Sequence, residues 1–261
     1  MYIKAFKMDG LGNDFVIIDQ RSQNFNLKKD QIIKICDRNF IGCDQLILIK
    51  KIEKKDAALE FYNSDGSISG ACGNGTRCVA DLLSKENDDK EIILWTSSGS
   101  LKSKILDSNL VETEIGVPKT EWNKIPLNKD LDTKNLNIPI INKNGVEHIG
   151  GTSVNVGNPH VIFFVENIED YDLEKIGPEI ENHKYFPEKC NVTIAKVINK
   201  NLIKVKVWER GAGLTKACGT AACATAVAGN INGLTDKKTD IEFALGKLSI
   251  SIDENNSVHM K

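Results

Sequence analysis

Two short stretches decide how this chain is read: SISGACGNGTRCVA, from Ser67 to Ala80, and GLTKACGTAACATA, from Gly213 to Ala226. Each sets a Cys-Gly pair directly ahead of a run that predicts a helix, and the two cysteines, Cys72 and Cys218, lie 146 residues apart. Two further pairs of segments keep nearly the same spacing. GNDFVIID from Gly12 resembles GNPHVIFF from Gly157, an offset of 145, and CDQLILI from Cys43 loosely matches CNVTIAK from Cys190, an offset of 147. Three matches in one order predict two halves built alike.

Working outward, each half is rich in strand signals. AFKMDGLGNDFVIID, LILIKKI and AALEFYN carry β-branched and aromatic runs broken by Gly and Asp, and KEIILWTSSGSLKSKIL predicts a hairpin through Ser98-Gly99. Helices are few: Lys28 to Asp37, Gly73 to about Ser84, Leu173 to Asn182 and Gly219 to Gly229. The two behind the Cys-Gly pairs are apolar around much of their circumference. That predicts an α+β fold of two pseudo-symmetric domains, each a curled, mostly antiparallel sheet around a central helix. The boundary is expected in the polar stretch after Gly116, giving halves 1–117 and 118–249, with 250–261 returning to the first half as an edge strand.

Composition narrows the function. The chain has 261 residues, 41% of them apolar, and its 34 Lys and Arg nearly balance 36 Asp and Glu. A formal net charge of -2 gives no basic field for nucleic acid, so a small-molecule partner is expected. No window reaches the apolar length of a membrane span, and MYIKAFKMDGLGNDF lacks a signal-peptide core, so a cytoplasmic protein is expected. In a reducing compartment seven cysteines argue for thiol chemistry over a disulfide scaffold. No CxxC occurs and the four histidines lack ligand spacing, so no metal and no cofactor are expected.

A helix N-terminus presents unpaired N–H groups and a partial positive charge, which favour a thiolate or a carboxylate. Each Cys-Gly pair therefore offers a thiol poised to lose a proton and amides suited to an anion. Packed with pseudo-twofold symmetry, the two would face each other. One could take a proton from one face of a carbon while the other delivers a proton to the opposite face. Cys78 and Cys223 should project elsewhere from the same helices and serve as small core residues.

With these residues in hand, the chain resembles the diaminopimelate epimerase family, amino-acid epimerases that work without pyridoxal phosphate. The carriers are MDGLGNDFVIID, IGCDQ, NSDGS with CGNG, GNPH, FPEKCNV and ERGAGLTKACGT, in the family's order and nearly end to end. The resemblance implies two similar domains with the active site between them, Cys72 and Cys218 as the acid/base pair, and a homodimer. It also implies that Gly73, Asn74, Gly219 and Thr220 hold the substrate carboxylate, while Asn13, Gln45, Asn63, Asn158, Asn191 and Arg210 surround the rest. Glu209 and His160 would pair near the substrate ammonium and tune the thiols. The chain departs from the family at Ala221, usually glycine, and at Cys43 and Cys190, usually other small residues, which would add two thiols near the cleft.

Bland explanations compete at each position. The asparagines next to Gly or Asp are ordinary turn residues, Arg210 could be a surface residue and His160 a satisfied core histidine. Proline racemases share the two-cysteine logic but have histidine where this chain has Asn74, and a racemase of another polar amino acid such as histidine stays open. A redox reading would join Cys72 to Cys218 in a switchable disulfide, and a silent relative would only bind a small molecule.

Overall fold

The computed structural model describes residues 3–23, 25–53, 56–70, 72–87, 89–97, 99–107 and 110–261. The chain divides into two compact units, Met1–Glu114 with Lys261, and Ile115–Met260.

In the first unit β1 (Ala5–Gly10), β2 (Asn13–Asp19), α1 (Lys29–Cys36), β3 (Gln45–Lys50) and β4 (Ala57–Asn63) come first. There follow β5 (Ile68–Ser69), α2 (Gly73–Asn87), β6 (Glu91–Thr96), β7 (Gly99–Asp107) and β8 (Leu110–Gly116), the last running across the division. The sheet order is β1-β2-β3-β4-β6-β7-β8, with β5 added beside β4. Only β2 with β3 and β4 with β6 are parallel; the other neighbours are antiparallel.

The second unit opens with β9 (Ile138–Ile141), β10 (Glu147–Gly150), β11 (Thr152–Asn155), β12 (Pro159–Phe164) and α3 (Leu173–Glu181). It continues with β13 (Asn191–Asn199), β14 (Leu202–Glu209), β15 (Gly213–Thr215), α4 (Gly219–Ile231), β16 (Lys238–Phe243), β17 (Gly246–Ile252) and β18 (Val258–Met260). Its main sheet runs β11-β12-β13-β14-β16-β17-β18, with β15 beside β14 and the β9–β10 hairpin separate. Here β12 with β13 and β14 with β16 are the parallel neighbours. Strand for strand this is the pattern of the first unit, so the sequence repeat is a repeat of topology.

Each sheet curls around its central helix. In the first unit α2 packs on β1 and β2 at one end of the strand order and on β6 and β7 near the other. In the second, α4 packs on β11, β12 and β13 and also on β16, β17 and β18. Their sequences show why. Within α4 every residue from Ala221 to Gly229 is buried, small enough to let strands approach from all sides. For α2 the buried side carries Val79, Ala80 and Leu83 against Phe15, Ile47, Phe61 and Leu94, while Lys85 and Glu86 are exposed.

Some boundaries differ from expectation. The last two strands belong to the second unit, because β17 pairs β16 and β18 pairs β17 through Ile250↔Met260 and Ser251↔His259. Of the last residues, Lys261 is grouped with the first unit. α2 runs to Asn87, about a turn beyond Ser84, and α4 runs two residues past Gly229 to Ile231, where Asn232 is the C-cap. The β6–β7 hairpin forms with Thr96 opposite Gly99; Ser98, part of the expected turn, lies outside the described residues. No helix among the described residues is long and apolar enough to cross a membrane.

Candidate active site

In the first unit Cys72 stands immediately ahead of α2, and its carbonyl accepts the Thr76 N–H at 2.8 Å and the Thr76 hydroxyl at 2.9 Å. The amides of Gly73 and Asn74 thus fall in the first turn, where an α-helix leaves N–H groups without intrahelical partners. Both residues are buried. The turn between β1 and β2 has Leu11 and Gly12 both at positive φ, 58° and 79°, the geometry that suits a two-residue hairpin. It delivers Asn13 as the first residue of β2, with Oδ1 accepting from Cys72 Sγ at 3.7 Å and from Asn74 Nδ2 at 3.4 Å.

Gln45 and Asn63 are directly opposed in the β3–β4 register, and Gln45 Nε2 donates to Asn63 Oδ1 at 2.9 Å. Asn63 Nδ2 in turn donates to Ser67 Oγ at 3.0 Å. Gln45 Oε1 is buried and has no partner among the described residues. A buried acceptor of that kind is costly without a donor and suits an ammonium or hydroxyl.

In the second unit Cys218 is the N-cap of α4, with φ −142° and ψ 118°, and its carbonyl accepts the Ala222 N–H at 3.0 Å. Its thiol lies 3.4 Å from Thr220 Oγ1. Burial and then the negative charge of Glu209, which also hydrogen-bonds the sulfur, push the Cys218 thiol well above its ordinary range; Thr220 and the Ala221 amide pull weakly the other way. Cys218 is therefore held protonated.

Asn191 ties three segments together: Nδ2 donates to the Pro159 carbonyl at 3.0 Å and Oδ1 accepts the Arg210 N–H at 3.0 Å. His160 lies opposite Asn191 across the parallel β12–β13 pair. Its Nε2 is 2.9 Å from Asn158 Oδ1, and its Nδ1 has no partner among the described residues. Complete burial, with the Arg210 charge adding to it, pushes His160 down to about 3, so the ring is neutral. The Arg210 guanidinium donates to the Glu188 carbonyl at 2.8 Å.

Sequence reasoning missed the residues that hold these groups. Glu181, buried at the end of α3, accepts from Trp208 Nε1 at 2.7 Å and from the Gly211 N–H at 3.3 Å and lies 3.5 Å from Lys189 Nζ. It braces both sides of the Glu209-Arg210 pair. Nothing local marks it, since its hydrogen-bond donors lie 27 and 30 residues away. Asp44 and Arg77 are a second kind of omission: they sit inside the motifs IGCDQ and CGNGTRC but were passed over for their neighbours.

Two thiols expected near the cleft sit elsewhere. Cys43 packs in a small core with Cys36, Val16 and Ile18, its sulfur 3.5 Å from that of Cys36. Cys190 is wholly buried in the core of the second unit, its sulfur 3.5 Å from the Ile180 carbonyl. Both lie just ahead of a strand, Cys43 before β3 and Cys190 before β13. Cys78 and Cys223 are buried, and burial pushes Cys78 up to about 11.

The family pattern described as diaminopimelate epimerase matches residues 5–121 and 152–261. A diaminopimelate epimerase of Pelagibacter ubique is 77% identical over 261 residues, covering all of this chain and 95% of that protein. One from Acidiphilium cryptum is 40% identical over 256 residues, covering 98% and 91%. Among solved structures, a predicted epimerase from Pseudomonas aeruginosa superposes with a TM-score of 0.68 at 14% identity, covering 99% of this chain and 95% of that one. A probable proline racemase from Agrobacterium radiobacter also gives 0.68, at 12% identity, covering 99% and 88%. The structural matches speak to fold and the sequence matches to lineage: the chain belongs to the diaminopimelate epimerase family and is an isomerase, an epimerase.

Proposed function

We propose that this protein interconverts L,L- and meso-diaminopimelate, without a cofactor, in the synthesis of lysine and peptidoglycan precursors. The observation that carries the reading is that both cysteines of a whole-length family match stand at a helix N-terminus, one in each unit.

In the proposed reaction one cysteine, as thiolate, removes the α-hydrogen as a proton, and the electron pair is left on carbon beside the carboxylate. The other, as thiol, gives its proton to the opposite face. The two cysteines end with protonation states exchanged, so the reverse reaction runs from the product. First-turn amides at Gly73, Asn74, Gly219 and Thr220 stabilise the negative charge that spreads onto the carboxylate. Asn13, Gln45, Asn63, Asn158, Asn191 and Arg210 bind the remainder of the substrate, with Glu209 and His160 setting the thiols. Arg210 offers a fork suited to a second carboxylate, which proline and histidine lack. The burial of Cys218 and the nearby Glu209 support the role of Cys218 as the resting acid. A cytoplasmic homodimer completes the proposal.

The test is solvent deuterium incorporation, followed by NMR, at the α-carbons of L,L-diaminopimelate with reduced protein in heavy water. L-proline and L-histidine run in parallel, with Cys72→Ala as control. Exchange confined to diaminopimelate and lost in the variant is expected. Exchange with another amino acid would overturn the substrate, and none with any would overturn the reaction.

A further inference from the structure

The amide of Asn13 sits in a chain of side chains whose direction is fixed at both ends. Arg77 NH2 donates to Asn74 Oδ1 at 3.1 Å, Asn74 Nδ2 donates to Asn13 Oδ1 at 3.4 Å, and Asn13 Nδ2 donates to Asp44 Oδ2 at 2.9 Å. A guanidinium only donates, and a carboxylate paired with a guanidinium only accepts. Asp44 is such a carboxylate: its Oδ1 is 2.6 Å from Arg38 NH2, and the Asp14 N–H also points at its Oδ2, at 3.1 Å. Neither asparagine can turn over without setting two donors or two acceptors against each other. The chain therefore has one polarity, and it leaves the Asn13 carbonyl toward Cys72 Sγ, 3.7 Å away.

We propose that Asp44 is a positioning residue that locks the Asn13 side chain with Oδ1, not Nδ2, against Cys72, Arg77 anchoring the other end of the same chain. The consequence is chemical. A carbonyl beside the sulfur accepts from a thiol and opposes a thiolate, whereas an amide N–H would do the reverse. Cys72 thus meets opposed influences: the α2 N-terminus favours the anion and Asn13 favours the thiol. A thiol that must serve as base in one direction and acid in the other benefits from such a balance, so this proposal rests on the proton-transfer reading above.

The strands packed on α2 carry other charged groups: Lys7 and Asp9 on β1, Asp14 and Asp19 on β2, Glu91 on β6, and Lys102, Lys104 and Asp107 on β7, with Arg38 beside Asp14 and Arg77 on α2 itself. Burial works against Asp14, but hydrogen bonds from Arg38 and Lys7 hold its carboxyl well below the usual range. Asp14 therefore stays charged and leaves Arg38 fixed beside Asp44.

The experiment measures iodoacetamide alkylation of Cys72 against pH, with the modified peptide quantified by mass spectrometry. It compares Asp44→Asn with wild type, then repeats the pair on an Asn13→Ala background. In Asp44→Asn the replacing amide can present a donor as well as an acceptor, so only the Arg77 end still orients Asn13; a fraction of the Asn13 amide turns its N–H to the sulfur, and Cys72 should alkylate several-fold faster at neutral pH. Removing a negative charge also speeds alkylation directly, but that part survives without Asn13. The proposal requires the acceleration to shrink on the Asn13→Ala background. Equal acceleration in both backgrounds, or none in either, overturns it. Should Asp44→Asn fail to fold, Asp44→Leu is read by the same criterion. Alkylation needs no substrate, so the diaminopimelate reading can fail on α-proton exchange while the Asp44 role stands, and the reverse.

Discussion

The start of α2 and the start of α4 share one backbone device and differ in what surrounds it. Both place a cysteine ahead of a Gly-led first turn, with its carbonyl taking the first helical hydrogen bond. Beside Cys72 stands a neutral amide, Asn13, which is bonded in turn to Asn74 and held by charges one step further out. Around Cys218 a carboxylate, Glu209, acts on the sulfur directly, and the residue is nearly closed to solvent. The repeated fold thus keeps the anion-favouring amides while the tuning groups differ, as the proposed proton transfer between a thiolate and a thiol would require.

The severest way to break the comparison is to remove one sulfur nucleus at a time. Cys72→Ser and Cys218→Ser are each expected to lower α-proton exchange of diaminopimelate by roughly 10²-fold or more, because a hydroxyl is a far weaker acid at neutral pH. If either variant keeps wild-type exchange, the two helix starts are not equivalent partners in the chemistry.

A stability test comes next. Glu181→Ala in the second unit leaves the part-buried Trp208 N–H and the Gly211 N–H without their acceptor. A loss of about 1–2 kcal/mol in urea denaturation is expected, from the lost charge-assisted hydrogen bonds to part-buried donors. Arg210 should also bind substrate less well, because the backbone on both sides of it loosens, and KM is the quantity to follow. Asp44→Asn, its counterpart bracing the first site from an exposed position, should leave stability within about 0.5 kcal/mol.

The third position of each first turn sharpens the contrast in packing. Gly75 and Ala221 correspond in the 146-residue repeat. A Cβ on Gly75 would come within 2.6 Å of Ile47 Cδ1 and 3.1 Å of Phe61 Cε1, whereas Ala221 already carries one, buried. Gly75→Ala should cost about 1–3 kcal/mol by overpacking, and Ala221→Gly about 1 kcal/mol through lost burial and helix propensity. Thermal melts of the two variants decide it, and equal effects would mean the aromatic wall over α2 does not set its first turn.

How much of this was legible in the sequence follows from the range of each interaction. The repeat, the four helices and the two helix-start cysteines rest on local pattern and period, and the fold carries them. The partners of the C-terminal strands were not legible, because strand pairing is set by residues far along the chain and nothing in LSISIDENNSVHMK names them. Asn13, Gln45 and Asn63 were found through motifs, yet only the register reveals that Gln45 and Asn63 face each other. Glu181 carried no local signal, and Cys43 and Cys190 could be placed in cores only once the strands showed which way each pointed.

The finest distinction between the two helix starts is electrostatic. Glu209→Gln removes the negative charge beside Cys218 while keeping the side chain's size, and it leaves burial, the larger cause, unchanged. With the carboxylate gone the thiolate is penalised less, so the pH at which Cys218 becomes alkylated should move down, though it should stay above that of an exposed cysteine. Read by peptide-resolved alkylation against pH, Cys72 serves as the internal control, since Glu209 belongs to the second unit and Cys72 to the first. A downward shift at Cys218 alone would assign the high thiol range there to Glu209 in part and to burial for the remainder. An unchanged Cys218 would leave burial as the sole cause, and the contrast between the two helix starts would then be one of solvent access and not of charge.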